Sequence, residues 1–178
     1  MAFQPGEHVV YPGYGAGTVV VIEDRVFSGT KTRYYMLQMV ADQGEFLVPV
    51  DQAESLRIRP VLDSEAILGV LRAPSERLSP EYKERQAGIT KLLSTSDAIQ
   101  LGRGARDLAW YAGTRSLTGR DVQLYQELQT LLASELSLAE DIGLEEAREK
   151  LAQILAGITE QAVQAGLEAD EEAAREAA

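Results

Sequence analysis

Few side chains in this 178-residue chain are equipped for covalent chemistry. There is no cysteine, which removes thiol nucleophiles, disulfides and cysteine-based zinc sites. The one histidine, His8, stands between Glu7 and Val9 at the start of a strand pattern, with no Ser or Asp spaced as a catalytic triad requires. It reads as a solvent-facing strand residue. Carboxylates abound, but none forms a recognisable spaced pair beside a pocket motif. The loop Gly13-Tyr-Gly-Ala-Gly17 would let backbone amides approach a phosphate, yet the dinucleotide signature needs a following helix, and Thr18-Val-Val-Val-Ile22 is a strand. A hairpin connection built on positive-φ glycines fits better. No enzyme, metal site or cofactor is expected.

Non-covalent chemistry is better represented. The net charge of −11 argues against a polyanion partner until its distribution is read. From Glu140 onward eleven carboxylates face Arg148, Lys150 and Arg175, so most of the negative charge lies in the tail. Between Arg77 and Arg120 the balance reverses: Arg77, Lys83, Arg85, Lys91, Arg103, Arg106, Arg115 and Arg120 face Glu81, Glu84, Asp97 and Asp107. A polyanion is to be sought on that segment, although a solvated helix surface has the same charge pattern.

The elements that carry these residues change character along the chain. Val9-Val-Tyr11, Thr18 to Arg25, Thr32 to Val40 and Glu45 to Val50 are rich in strand formers and are separated by Gly-containing turns at Ser28-Gly29-Thr30 and Asp42-Gln43-Gly44. Pro49 must sit at an edge or at a strand end. Such closely spaced short strands predict a small barrel-like sheet of the SH3 or Tudor kind, whose exposed edge can accept another protein's strand.

After Pro60 the apolar period lengthens to nearly four. Asp63 or Ser64 caps a helix carrying Ile67, Leu68, Val70 and Leu71, which stops before Ala73-Pro74. Ser79-Pro80 signals a second helix, Ser96 a third running to about Gly113, and Thr118-Gly-Arg-Asp121 resembles a capping box before Val122 to Leu136. Gly143 precedes a fifth helix, Leu144 to Ala156. The fold class is therefore α+β, a Tudor/SH3-like small β-barrel followed by an all-helical domain of about five helices. The expected organisation is a sheet domain at 1–58, a helical domain at 59–157 and an acidic Ala/Glu-rich tail at 158–178, a frayed helix or disordered. Competition between that tail and DNA for the basic helices is one role open to it. No apolar run approaches the roughly 18 residues a membrane span requires, and the first residues lack a basic start and apolar core, so a cytoplasmic monomer without membrane association is expected.

Several separated motifs carry a resemblance. Phe3-x-Pro-Gly-Glu-x-Val-Val-Tyr-Pro-x-Tyr-Gly-x-Gly-x-Val19, Val48-Pro-Val50, Leu71-Arg-Ala-Pro74, Arg106-Asp-Leu108 and Ser134-Glu-Leu-Ser-Leu-Ala-Glu140 together resemble the bacterial CarD/CdnL transcription regulators over about residues 1 to 157. The first motif is also similar to the polymerase-binding module of the transcription-repair coupling factor.

The resemblance implies a non-catalytic RNA polymerase accessory factor. Its Tudor-like domain would dock on the polymerase β subunit by sheet augmentation, through positions matched here by Arg25, Phe27 and Leu47, where Leu47 replaces the arginine of some relatives. Its helical domain would contact promoter DNA at the upstream edge of the transcription bubble, in the minor groove and largely without sequence preference, stabilising the open complex. The family's Trp wedge corresponds to Tyr82 here, a smaller aromatic whose hydroxyl wants a partner. Lys83 and Arg85 beside it, with Arg103, Arg106, Arg115 and Arg120, are the candidate DNA contacts, serving affinity and register. Trp110, the sole tryptophan, reads as helix-packing core. The alternative is a protein–protein adaptor with a Tudor-like peptide-binding domain and no DNA role.

Overall fold

The computed structural model describes residues 2–176, with the side chains of 27, 171 and 174–176 outside that description. Strands β1 (His8–Tyr11), β2 (Gly15–Phe27), β3 (Thr30–Met39), β4 (Glu45–Pro49) and β5 (Arg59–Pro60) precede helices α1 (Ser64–Arg72), α2 (Tyr82–Thr95), α3 (Ala98–Thr114), α4 (Gly119–Glu140) and α5 (Leu144–Glu176). The sheet is antiparallel in the order β4-β3-β2-β1-β5. Pro49 ends the edge strand β4, where its missing N–H costs no ladder bond.

Strand alternation sorts the sheet into two faces. Tyr35, Leu37 and Met39 of β3, with Val48 of β4 and Val19 of β2, enter a buried cluster closed by Phe3 and Ile58. A register shift between Val19 and Val21 turns Val20 out to solvent. The helices bury a second, larger cluster in which Leu108 of α3, Leu124, Leu128 and Leu132 of α4, and Leu151 and Leu155 of α5 interlock. No helix among the described residues is long and apolar enough to cross a membrane.

Local signals account for most helix ends. Asp63 caps α1 by accepting from the Glu65 N–H, and Thr118 with Asp121 forms a reciprocal capping box on α4. Two starts differ from the sequence expectation. Ser79 and Pro80 stay outside α2, because their carbonyls accept from Arg85 Nη1 at 2.9 and 3.2 Å while the Ser79 hydroxyl is held by Glu84. Glu81 caps instead, and Tyr82 becomes the first helical residue. Ser96 closes α2 in a left-handed conformation and Asp97 caps α3, since the hydroxyl and carbonyl of Ser96 are both engaged by the sheet module.

The fifth helix runs far past Ala156, without a break, to Glu176. Ile158 and Ala162 are buried, and Thr159 Oγ1 donates to the Ala109 carbonyl at 3.0 Å. Gly113 permits this approach, because a Cβ there would lie 2.4 Å from the Thr159 carbonyl oxygen. Helix α5 therefore lies alongside α3 in the same direction and projects beyond its C-terminal end.

A polar seam joins sheet to helices. The Arg59 guanidinium grips Glu135 of α4 through both oxygens, at 2.6 and 2.8 Å, and also donates to the Ser96 carbonyl. Glu135 Oε1 accepts the Leu62 N–H as well, so this 1 % exposed carboxylate is fully partnered. The β1–β2 turn docks beside it: Ser134 Oγ accepts the Ala16 N–H at 3.0 Å and Ser96 Oγ accepts the Gly13 N–H at 3.1 Å. At Gly15, with φ +94°, any Cβ would meet Ser134 Oγ at 2.8 Å. The glycine-rich loop is thus a hairpin whose tip is inserted into a joint.

Candidate functional site

Two surfaces carry the sequence-predicted positions. On the sheet, Val21, Met36 and Leu47 are cross-strand neighbours, as are Glu23, Tyr34 and Pro49, and Arg25 pairs with Thr32. By this register Arg25, Leu47 and the backbone of Phe27 share the face opposite the buried cluster; the Phe27 side chain lies outside the described residues. Arg25 and Leu47 are half-buried, and Arg25 Nε is held by Glu23 at 2.5 Å. Strand β4 pairs with β3 only over Tyr34–Gln38, which among the described residues leaves the Thr30–Arg33 end of the hairpin without a strand partner on that side. Arg25 and Phe27 pair with this free segment. A flanking strand can add here through backbone N–H and C=O groups, next to a face that carries the Arg25–Glu23 ion pair beside the apolar side chains of Val21, Met36 and Leu47.

The second surface is one end of the helical bundle, and a buried arginine organises it. Arg85, 3 % exposed, donates from Nη2 and Nε to Asp121 at 2.6 and 3.2 Å, and from Nη1 to the Tyr111 hydroxyl at 3.0 Å. These bonds tie the first turn of α2 to the last turn of α3 and the first turn of α4. Burial alone would push the Asp121 carboxyl up, but hydrogen bonds from Arg85 and Thr118 outweigh it and lower its pKa to about 2. The guanidinium also sits over the Tyr111 ring at 4.4 Å.

Around that knot the exposed groups gather. Tyr82 is 48 % exposed on the first turn of α2, and Lys83 lies 5.9 Å from its ring centroid. Arg115 caps the end of α3, and Arg120 stands in the first turn of α4, in reach of Gln123 and Glu127. The N-termini of α2 and α4, with the positive ends of their dipoles, lie at the same end. Arg103 is exposed but lies three turns back along α3, where with Lys91 it lines a groove that extends to Arg77 and Glu84 at the bundle end.

Two expected DNA contacts are corrected by their burial. Arg85 has no free donor face, for the reasons just given. Arg106, also 3 % exposed, donates from Nε to Asp107 and from Nη1 to the Val70 carbonyl, one of the unsatisfied carbonyls at the end of α1. Asp107 in turn accepts the Glu76 N–H at 2.9 Å. This adjacent pair fastens the chain after α1 instead of presenting a cation. Charge counting along the sequence cannot separate such arginines from exposed ones, because Arg85 meets Asp121 across 36 positions. Trp110 packs one side against the helical core, as expected, but is only half-buried. Among the described residues no group of three or more His, Asp or Glu side chains is placed to hold a metal ion.

Comparison with known proteins gives two family matches in order along the chain. A family model described as CarD-like/TRCF RID domain matches residues 3–62, and one described as CarD, C-terminal domain matches residues 66–152. The chain is also similar to the Bacillus subtilis (strain 168) protein named "Putative transcription factor YdeB", with 28% identity over 144 residues, which are 79% of this chain and 94% of that one. With its sheet module and its helical module both matched in order, the chain belongs to the CarD family of bacterial transcription regulators.

Proposed function

We propose that this protein binds the RNA polymerase β subunit through the free sheet edge and the face bearing Arg25 and Leu47, with Phe27, at the end of β2, as a third candidate contact. It contacts promoter DNA at the upstream edge of the transcription bubble through Tyr82, Lys83, Arg115 and Arg120, with Arg103 as an outlying phosphate contact. The observation that carries the DNA half is Tyr82: an aromatic ring half in solvent, on a helix N-terminus beside an exposed lysine, at a bundle end held rigid by Arg85. Aromatic rings are usually placed in cores, and one held out in this way suits partial insertion at a splayed minor groove.

The mechanism follows by linkage. A factor bound to polymerase that also binds opened DNA more tightly than closed DNA shifts the equilibrium toward the open complex, by no more than its differential affinity. A coupling of about 1–3 kcal/mol changes the open-to-closed ratio roughly 5- to 150-fold. The test is the lifetime of open complexes formed by the cognate polymerase with wild-type protein and with Tyr82→Ala. A lengthened lifetime that the variant loses supports the reading, and no lengthening by wild type despite binding to the β subunit overturns the DNA half. Capture of the β subunit that is unchanged by Arg25→Glu counts against the sheet docking site.

A further inference from the structure

The bundle end also holds a hollow that shares Arg115 with the Tyr82 surface but is otherwise built from residues that surface does not use. Trp110, Leu78 and Pro80 form the apolar walls of an open hollow of about 610 Å³, with Arg77, Thr114 and Arg115 on its rim. Both arginines are exposed, and among the described residues neither guanidinium has a hydrogen bond or ion pair. Two carboxylates also border the hollow. Asp107 is neutralised by Arg106 and engaged by the Glu76 N–H, which leaves the exposed Glu76 side chain as the one opposing charge. The balance is positive in a chain whose net charge is −11.

A half-buried indole beside two unpartnered cations fits a ligand that is a flat π-system at one end and an anion at the other. An unpaired nucleotide has that form: its base stacks on an aromatic face and its phosphate meets arginine. The volume lies in the range of ordinary small-ligand sites. Pro80, on the wall, is two residues from Tyr82, so a strand parted at Tyr82 has its next nucleotides beside the hollow. From this we infer that the Trp110 hollow receives an unstacked nucleotide of single-stranded DNA, with the base against the indole and the phosphate met by Arg77 or Arg115. The inference rests on the DNA contact proposed above and adds a second aromatic site to it.

Trp110 is the sole tryptophan, so its emission reports occupancy directly. Full-length protein at low salt is titrated with end-labelled dA12, with the matching 12-bp duplex and with dAMP, following both tryptophan emission and DNA anisotropy. Saturable quenching by dA12 that tracks anisotropy is expected, with no quenching by the duplex. In Arg77→Glu and Arg115→Glu the concentration of dA12 for half-quenching rises about tenfold or more, with unchanged circular dichroism, whereas Arg148→Gln, near the start of α5, leaves both the half-quenching concentration and the quench at saturation unaltered. Binding of dA12 by anisotropy without any change in emission overturns the hollow and leaves Tyr82 as the aromatic contact. Quenching by dAMP at the same concentrations as dA12 overturns the strand site in favour of a free-nucleotide site. Failure of both DNA forms to bind overturns this inference together with the DNA contact on which it rests.

Discussion

Arg59 with Glu135 and Arg85 with Asp121 are the same pairing chemistry at opposite ends of α4, and they serve different purposes. The Arg59 pair lies where sheet and helices meet, with the arginine side chain about a quarter exposed; the Arg85 pair is sealed, both side chains at 2 % exposure or less. One sets how the two modules are joined. The other closes the bundle end on which Tyr82, Lys83, Arg115 and Arg120 are displayed. An arginine's function in this chain is therefore decided by what faces it across the fold, since the exposed Arg115 and Arg120 lie within the same basic segment as the buried Arg85 and Arg106.

The sharpest way to break the comparison is Asp121→Ala, which strands a buried guanidinium and is expected to cost about 3–5 kcal/mol in urea unfolding. Glu135→Ala leaves an arginine that can turn toward water, so about 2 kcal/mol is expected. Its signature is faster limited proteolysis around Arg57–Asp63, reporting loosened modules; equal proteolysis in the two variants would erase the distinction. Acid provides a third test. The folded pKa of Asp121, about 2, lies below the ordinary carboxylate value, so its ionised form is favoured by folding. That stabilisation, about 2 kcal/mol, is complete above roughly pH 5 and is lost as pH falls from 4 through 2. Asp121→Asn should remove this share of the acid dependence, measured as the difference in stability between pH 5 and pH 2.5. The smallest effect is expected at Arg115→Gln: stability within about 0.5 kcal/mol of wild type, with the slope of log affinity for duplex DNA against log salt reduced by about 0.9 if Arg115 neutralises one phosphate.

Much of the scaffold was legible locally. The Thr118-x-x-Asp121 box, the Asp63 cap and the Pro49 strand end appear where short-range chemistry puts them. What escaped depended on distant partners. The motifs that carried the family resemblance turn out to be joints: Ser134 and Glu135 hold the β1–β2 turn and Arg59, while Arg106 and Asp107 hold the segment after α1. One signal was present in the sequence, because Glu135 falls on the apolar stripe of Leu124, Leu128, Leu131 and Leu132, and a carboxylate there demands a buried cation. The Arg85 pair had a weaker signal, since Asp121 already had a capping role to explain it. The length of α5 was hidden by its composition: Ala-rich turns with sparse apolar residues give no sign that Ile158 and Ala162 pack on α3.

Because Asp121 and Glu135 are fourteen positions apart on one helix, the sheet seam and the bundle end are separated by about 21 Å of continuous α-helix. That helix is a lever with its fulcrum at the seam. A tilt of the sheet by about 10° on its docking partner would carry the Tyr82 end through roughly 4 Å, about the thickness of one stacked base pair, at that helical rise. Small differences in how the sheet seats would thus be magnified into a full step of register at the far tip.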